Sequence, residues 1–267
     1  MTHSNTLTVL RQYLSGAVGD LIMGQCGTTG ADTTHTYAPF LWKPDDYYNE
    51  NYYSAYVFAG TNIGVEKRIT DWDLGTFLFT VHSAYAAACD ATSYIELHNI
   101  FTESDYRKAI NLSIESLADK YFIDKIDITT TLVADTYEYT LPSDMTRIHR
   151  IITEDVAGNG KFYNSAVIDP RNWGLISPRK LKLDKRYYSV SAGKDLRIEG
   201  HGRQTILTSD SSICYLPPDW IVQKSITFLP SSKIQSHQLD EVYRRALLES
   251  VNEPERRPLP ESRRVVE

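Results

Sequence analysis

The spacing of apolar and polar positions changes period along the chain. Leu10, Tyr13, Leu14, Ala17, Val18, Leu21 and Ile22 recur every three or four residues, which predicts an amphipathic helix with Thr6 or Thr8 as N-cap and Gly24 as its stop. A second helix is predicted after Thr102-Glu103-Ser104-Asp105, a capping-box pattern with Asp in place of the usual Glu. Its apolar face is Tyr106, Ala109, Ile110, Ile114, Leu117, Tyr121 and Phe122. Between these helices the pattern is one of short β segments, 52–58, 66–70, 77–81 and 94–97, separated by turn residues. From Ile128 onward strands return, at 136–141 with Pro142 as the stop, at 147–153, and at 180–183, 187–190 and 196–199, with Asn159-Gly160 offering a turn. Pro217 and Pro218 sit where a helix can begin, and Pro230 where it must end. A fourth helix carries Leu239, Val242, Tyr243, Ala246, Leu247 and Val251 on one face.

These elements predict an α+β protein. Residues 1–26, 101–128 and 214–253 make a small helical platform, 27–100 an inserted acidic β module, and 129–213 a second β-hairpin or sheet module. Residues 254–267, with three prolines and four arginines, are expected to form an extended C-terminal arm. Ile110, Ile114, Leu117 and Phe122 are expected to bury against Leu10, Leu14 and Leu21, and the insert to be removable.

Charge sharpens the picture of the insert. Residues 27–100 hold nine Asp or Glu against three Lys or Arg, so the whole formal charge of -6 falls there and the rest of the 267 residues is neutral. That balance argues against a protein that coats DNA or an anionic membrane with its entire surface. The uncharged stretch 75–89 is too short and polar to span a bilayer, and no basic flank leads into an apolar run at the N-terminus, so neither membrane insertion nor ordinary secretion is expected. Cys26, Cys89 and Cys214 are far apart and odd in number, which favours free thiols in a reducing compartment over a disulfide framework or a zinc site.

Reactive constellations are scarce. The chain has no GxSxG elbow, HExxH helix or glycine-rich phosphate loop, and its seven histidines are scattered, so no enzyme activity and no cofactor are expected. Asp45-Asp46 and Asp71-Trp72-Asp73 have the carboxylate density of a hard-cation or carboxylate-pair site, but such aspartates between strands more often close turns. Six of the 18 tyrosines fall between Tyr37 and Tyr56, and amphipathic rings of this kind serve either a core or a contact surface. Tyr47, Tyr48, Tyr52, Tyr53 and Trp72 are therefore the candidate partner face. Between Arg179 and Arg203, eight Lys or Arg against three Asp or Glu mark Lys180, Lys182, Lys185 and Arg186 as candidate phosphate contacts.

The order of these pieces resembles head-to-tail connector proteins of tailed bacteriophages. A short helix is followed by an insert with Pro44-Asp45-Asp46-Tyr47-Tyr48 early and Lys67-Arg68-Ile69-Thr70-Asp71-Trp72-Asp73 later, and then by the capped helix. Tyr139-Thr140-Leu141-Pro142-Ser143-Asp144-Met145-Thr146-Arg147-Ile148 is similar to a Y-x-L-P-x-D-x-x-R-I segment common in phage neck and tail structural proteins. The resemblance covers the chain to about residue 250. It implies a structural virion protein in the neck, assembled in the host cytoplasm. Its copies, twelve in the expected ring, join the portal to the tail or nozzle and pass double-stranded DNA with only transient, non-specific contact. The arm would then grip the portal or a neighbour through Arg256, Arg257, Leu259, Arg263, Arg264, Val265 and Val266. The high tyrosine count of the insert supports an alternative, a carbohydrate- or receptor-binding tail component.

Overall fold

A computed structural model describes residues 3–177 and 179–256. The fold is α+β, and the chain divides into two compact units, Met1–Ser116 with Ile206–Glu253, and Leu117–Thr205 with Pro254–Glu267.

The first unit opens with a two-residue strand, β1 (Asn5–Thr6), and helix α1 (Leu7–Ala17). The Thr6 hydroxyl accepts the Val9 N–H, as an N-cap should, but the helix stops earlier than its apolar spacing predicts. Gly19 at φ 76° turns the chain, so Leu21 and Ile22 leave the helix and Ile22 enters strand β2 (Ile22–Gln25). Gly24 is thus a strand residue. A Cβ there would fall on the Phe40 ring, so its lack of a side chain serves packing and not termination.

Strands β3 (His35–Tyr37), β4 (Ser54–Ala59), β5 (Glu66–Asp73), β6 (Leu78–Val81) and β7 (Tyr94–His98) follow, with a single helical turn, α2 (Tyr47–Glu50), among them. They form an antiparallel six-stranded sheet in the order β2-β7-β4-β5-β6-β3. A register shift between Ile69 and Asp71 lets Ile69 and Trp72, three apart, both enter the core. The core runs from Cys26 to Leu97 and includes Leu41, Tyr48, Val57, Phe79 and Ile95. Helix α3 (Glu103–Ser116) begins with the predicted reciprocal cap: Asp105 N–H donates to the Thr102 hydroxyl at 3.2 Å, and Thr102 N–H to the Asp105 carboxylate at 3.1 Å. The helix ends at Ser116, before Tyr121 and Phe122, because a turn at 117–120 leads into a segment where Ile126 and Ile128 alternate with Lys125 and Asp127.

The second unit begins with that segment, β8 (Ile123–Thr131), and continues through β9 (Glu138–Thr140), β10 (Met145–Thr153), β11 (Trp173–Ser177), β12 (Lys180–Leu183) and β13 (Asp195–Gly202). Two antiparallel sheets result, β10-β13-β8 and β11-β12-β9. Their shared core includes Tyr139, Leu141, Ile148, Ile151, Leu181, Leu183, Leu196 and Ile198. The Y-x-L-P-x-D-x-x-R-I segment is the corner between β9 and β10: Tyr139 donates its hydroxyl to the Thr136 carbonyl at 2.7 Å, Leu141 and Ile148 are buried, and Asp144 takes the Lys125 ammonium at 2.6 Å. The predicted strand at 187–190 is absent, since Tyr187 and Tyr188 donate their N–H groups to the Asp184 carbonyl in a turn.

The chain then returns to the first unit, where β14 (Ile213–Cys214) pairs with β1. Helices α4 (Pro218–Ile226), α5 (Ser231–Ser236) and α6 (Asp240–Glu249) complete it. Helix α4 starts at the predicted prolines and packs on α1, α3 and α6. Ile110, Ile114, Leu10 and Leu14 are buried as expected of an α1–α3 contact, whereas Leu21 is only half-buried. Helix α6 departs from its predicted apolar face. Ala246 and Ser250 are the buried positions, their small side chains admitting α4, while Leu247, Leu248 and Val251 are exposed.

The units are drawn differently from the predicted platform and insert. The apolar core of residues 27–100 also takes in Ile22 and Cys26, and their sheet takes its first strand from β2, within 1–26. Residues 117–128, expected in the platform, belong to the second unit, because they supply its edge strand β8.

Candidate interaction surfaces

The tyrosine-rich segment divides between core and surface. Tyr48 is fully buried, Trp72 nearly so, and Tyr53 at the margin, which removes these three from a partner face. The physical cause is mutual packing: Tyr48 lies edge-on to Tyr47, Tyr53 and Trp72 with centroids 5.3 Å apart in each case, and Trp72 donates its indole N–H to the Lys43 carbonyl. Asp46 and Tyr52, at φ 63° and 61°, bracket α2 and reverse the chain direction, so a simple strand alternation does not apply. Tyr52 is exposed beneath the Arg68 guanidinium, 4.8 Å from its ring. Trp42 is also exposed, with the Lys43 ammonium 4.1 Å from its ring and 5.1 Å from that of Tyr47. Of the candidate residues on this segment, Tyr52 is exposed and Tyr47 half-buried, and Trp42 beside them is exposed too.

The acidic residues of the segment mostly close turns. Asp45 accepts the Leu74 N–H, and Asp73 accepts the Gly75 N–H and Thr76 hydroxyl. Among the described residues, no group of three or more His, Cys, Asp or Glu side chains is placed to hold a metal ion. Asp71 and Asp73 share the exposed side of β5.

On the second unit, Lys180 and Lys182 project from the exposed side of β12 while Leu181 and Leu183 fill the core. Lys180 lies 3.6 Å from Glu138, and the Lys185 ammonium lies 5.6 Å from the Tyr137 ring. Arg186 is exposed in the following turn, where its N–H donates to Asp184. Leu175 and Ile176 of β11 are exposed on the same hairpin. The four basic residues are therefore solvent-facing and neighbours in sequence, with part of their charge already met by Glu138.

A buried charged network in the first unit has no counterpart in the sequence-based expectations. Arg11 is completely buried, its Nε 2.7 Å from Glu96 and its Nη1 2.7 Å from Asp210 and 3.4 Å from Glu103. The guanidinium also sits 4.4 Å from the Tyr56 ring, whose hydroxyl donates to Asp210. Burial pushes Glu96 upward, but hydrogen bonds from His98 and Arg11 outweigh it and hold the carboxyl below its ordinary value. Burial likewise opposes charge on His98, yet its contacts with Glu96 and the Asp20 carbonyl raise it. Asp20 accepts the N–H groups of Asn99, Ile100 and Phe101 and the Tyr106 hydroxyl. With each acidic side chain met by several donors, the cluster ties helix to sheet and leaves no free nucleophile or base. Its signal in the sequence is Arg11 itself, which interrupts the stripe of Leu7, Leu10 and Leu14.

Of the expected arm, Arg256 is described, and Arg257, Leu259, Arg263, Arg264, Val265 and Val266 lie outside the described residues. Arg256 pairs in parallel with Tyr121, and its guanidinium reaches Asp124 at 2.8 Å. Asp124 also meets His201 at 2.9 Å, and His201 contacts His149. Burial and the neighbouring His149 lower His201, while Arg256 and His201 outweigh burial to hold Asp124 below its ordinary value.

Of the predicted apolar face of α6, Leu247 and Val251 are exposed, and with Leu248 they form a surface on which Leu248 and Val251 are about as exposed as any large apolar residue, at 74% and 70%. All three cysteines are free and buried, and burial pushes the Cys26 thiol up to about 12, well away from a reactive thiolate. No helix among the described residues is long and apolar enough to cross a membrane. No family model matches the chain, and no curated protein matches it.

Proposed function

We propose that the chain is a structural virion protein, a connector subunit whose copies form a ring between portal and tail and let double-stranded DNA pass. The observation that carries this reading is the exposed stripe of Leu247 and Leu248 on α6 with Val251 just after it. Large apolar side chains grouped on one helix face are costly to leave in water and are typical of a protein contact. A charged rim of Glu241, Arg244, Arg245 and Glu249 accompanies them. The Tyr139-to-Ile148 segment adds support, since its residues form a structural corner, as a motif shared among assembly proteins should. The exposed lysines of β12 suit transient contact with phosphate, and the net acidic charge suits release.

The test is the native mass of the full chain, alone and after mixing with portal rings of its own phage, by native mass spectrometry and electron microscopy. A ring of about a dozen copies on the portal is expected. Leu248→Ser should leave the fold intact and reduce ring formation at least tenfold. A chain that stays monomeric alone and fails to bind the portal refutes the connector reading.

A further inference from the structure

We propose that the free edge of β8 is the docking site for the C-terminal end, residues 261–267, of a second copy of this chain. The proposal rests on the ring reading only in naming a second copy as the source of the strand. Strand β8 is bonded to β13 on one side, and among the described residues no strand lies along its other side. The direction of its backbone groups follows from the two ends. Leu132 accepts the Gly193 N–H and donates to the Lys194 carbonyl, on the β13 side, whereas Phe122 donates its N–H to the Arg256 carbonyl at 3.0 Å, on the other.

The register shift between Leu196 and Ile198 puts one extra residue into β8, between Asp127 and Thr130, which reconciles these two phases. Before that bulge, Asp124 and Ile126 therefore present their N–H and C=O groups to the same side as Phe122. This open row is flanked by the exposed side chains of Ile126 and Ile128, at 62% and 54%. An edge of that kind is a template for an added strand.

Arg256 pairs at the start of this edge, and the sequence after it is poorly suited to continuing that pairing. Arg256 donates its N–H to the Lys120 carbonyl and accepts that of Phe122, the bonding of a parallel pair. In a parallel strand the next backbone groups facing β8 belong to positions 258 and 260. Both are proline. Proline has no N–H to donate to the carbonyls of Phe122 and Asp124 in such a strand. Proline at both positions thus disfavours a continued parallel strand of the chain's own tail on this edge. The proline-free end, Glu-Ser-Arg-Arg-Val-Val-Glu, is seven residues long, about 23 Å when extended, which matches the open part of β8. Its arginines complement Asp127, and its valines add apolar surface beside the exposed Ile126.

The test uses the full chain, a chain truncated after Arg256, and a labelled peptide of residues 261–267. The truncation leaves the Arg256 pairing with Tyr121 and Asp124 in place. The peptide should bind the truncated chain with saturation, and a peptide with Arg264→Pro and Val265→Pro, which blocks both phases of pairing, should bind at least tenfold more weakly. The full chain should form oligomers with rising concentration while the truncated chain stays monomeric. Absence of peptide binding, or equal binding of the proline peptide, overturns the docking site. Peptide binding together with a full chain that stays monomeric, alone and on the portal, shows the tail on its own edge and overturns docking between copies. Portal-bound rings of unchanged copy number from the truncated chain also overturn it, while leaving the connector reading intact.

Discussion

Replacing Arg11 by Met should be among the most damaging single changes in the first unit, and its cost should depend on pH in a particular way. The substitution keeps most of the side-chain volume and removes the cation, leaving Glu96, which is fully buried, with Glu103 and Asp210 beside it. Removing one partner of a buried ion pair costs about 3–5 kcal/mol, chiefly because the remaining charge stays out of water. In the native chain Glu96 is held below its ordinary value, so its contribution is present above the usual carboxylate range and is lost as pH falls through the folded value. Without Arg11, His98 and Gln12 are left as donors to Glu96, so burial is opposed less and the folded value of the carboxyl moves upward. An upward move weakens the ionised form relative to the protonated one, so the deficit of the variant should narrow as pH falls. Urea unfolding followed by the fluorescence of buried Trp72 measures this directly, and Arg11→Met with Glu96→Gln should restore about 1–3 kcal/mol by removing the orphaned charge. A loss below about 1 kcal/mol, or one that is the same at pH 5 and pH 8, refutes a buried ionic tie between α1 and β7.

Asp20→Asn should cost about 2–4 kcal/mol in the same assay, because three backbone N–H groups at 99–101 and the Tyr106 hydroxyl lose a charged acceptor; a change under about 0.5 kcal/mol would show that solvent serves those donors equally well. Replacing residues 27–100 by a short Gly/Ser linker should give an unfolded or insoluble product, since it removes Glu96 from Arg11 and β7 from β2. A soluble product with native helical circular dichroism would show instead that the helices stand alone.

Local signals survived translation into structure where both partners of an interaction are near in sequence. Thr102 and Asp105 cap one another three residues apart, Pro218 opens α4, and Lys180–Leu183 alternates cleanly because Leu181 and Leu183 face one core. The failures have a common cause in long-range geometry. The fate of Tyr48, Tyr52 and Tyr53 is set by left-handed residues at Asp46 and Tyr52 and by Trp72 arriving from β5, none of which a strand pattern contains. Helix α6 looks core-facing on a helical wheel, yet which stripe is buried depends on α4, and the small pair Ala246 and Ser250 wins over the leucines. Arg11 could have been noticed, because a guanidinium within a leucine stripe must find distant carboxylates or stay unpaired.

The acidity of residues 27–100 is also reinterpreted by the structure. Glu96 points inward to Arg11, and Asp32, Asp73 and Asp90 are turn-closing residues. Thr34, through its backbone N–H, and His35 lower Asp32; the Thr76 hydroxyl lowers Asp73, and the Thr92 hydroxyl lowers Asp90. Because these carboxylates face water and ionise below their ordinary range, they remain charged wherever the protein is folded at neutral or mildly acidic pH. The residues that shape the turns therefore also keep a fixed negative potential on the sheet unit. The charge is thus built into turn geometry, and a substitution that neutralises one of these carboxylates also loosens its turn.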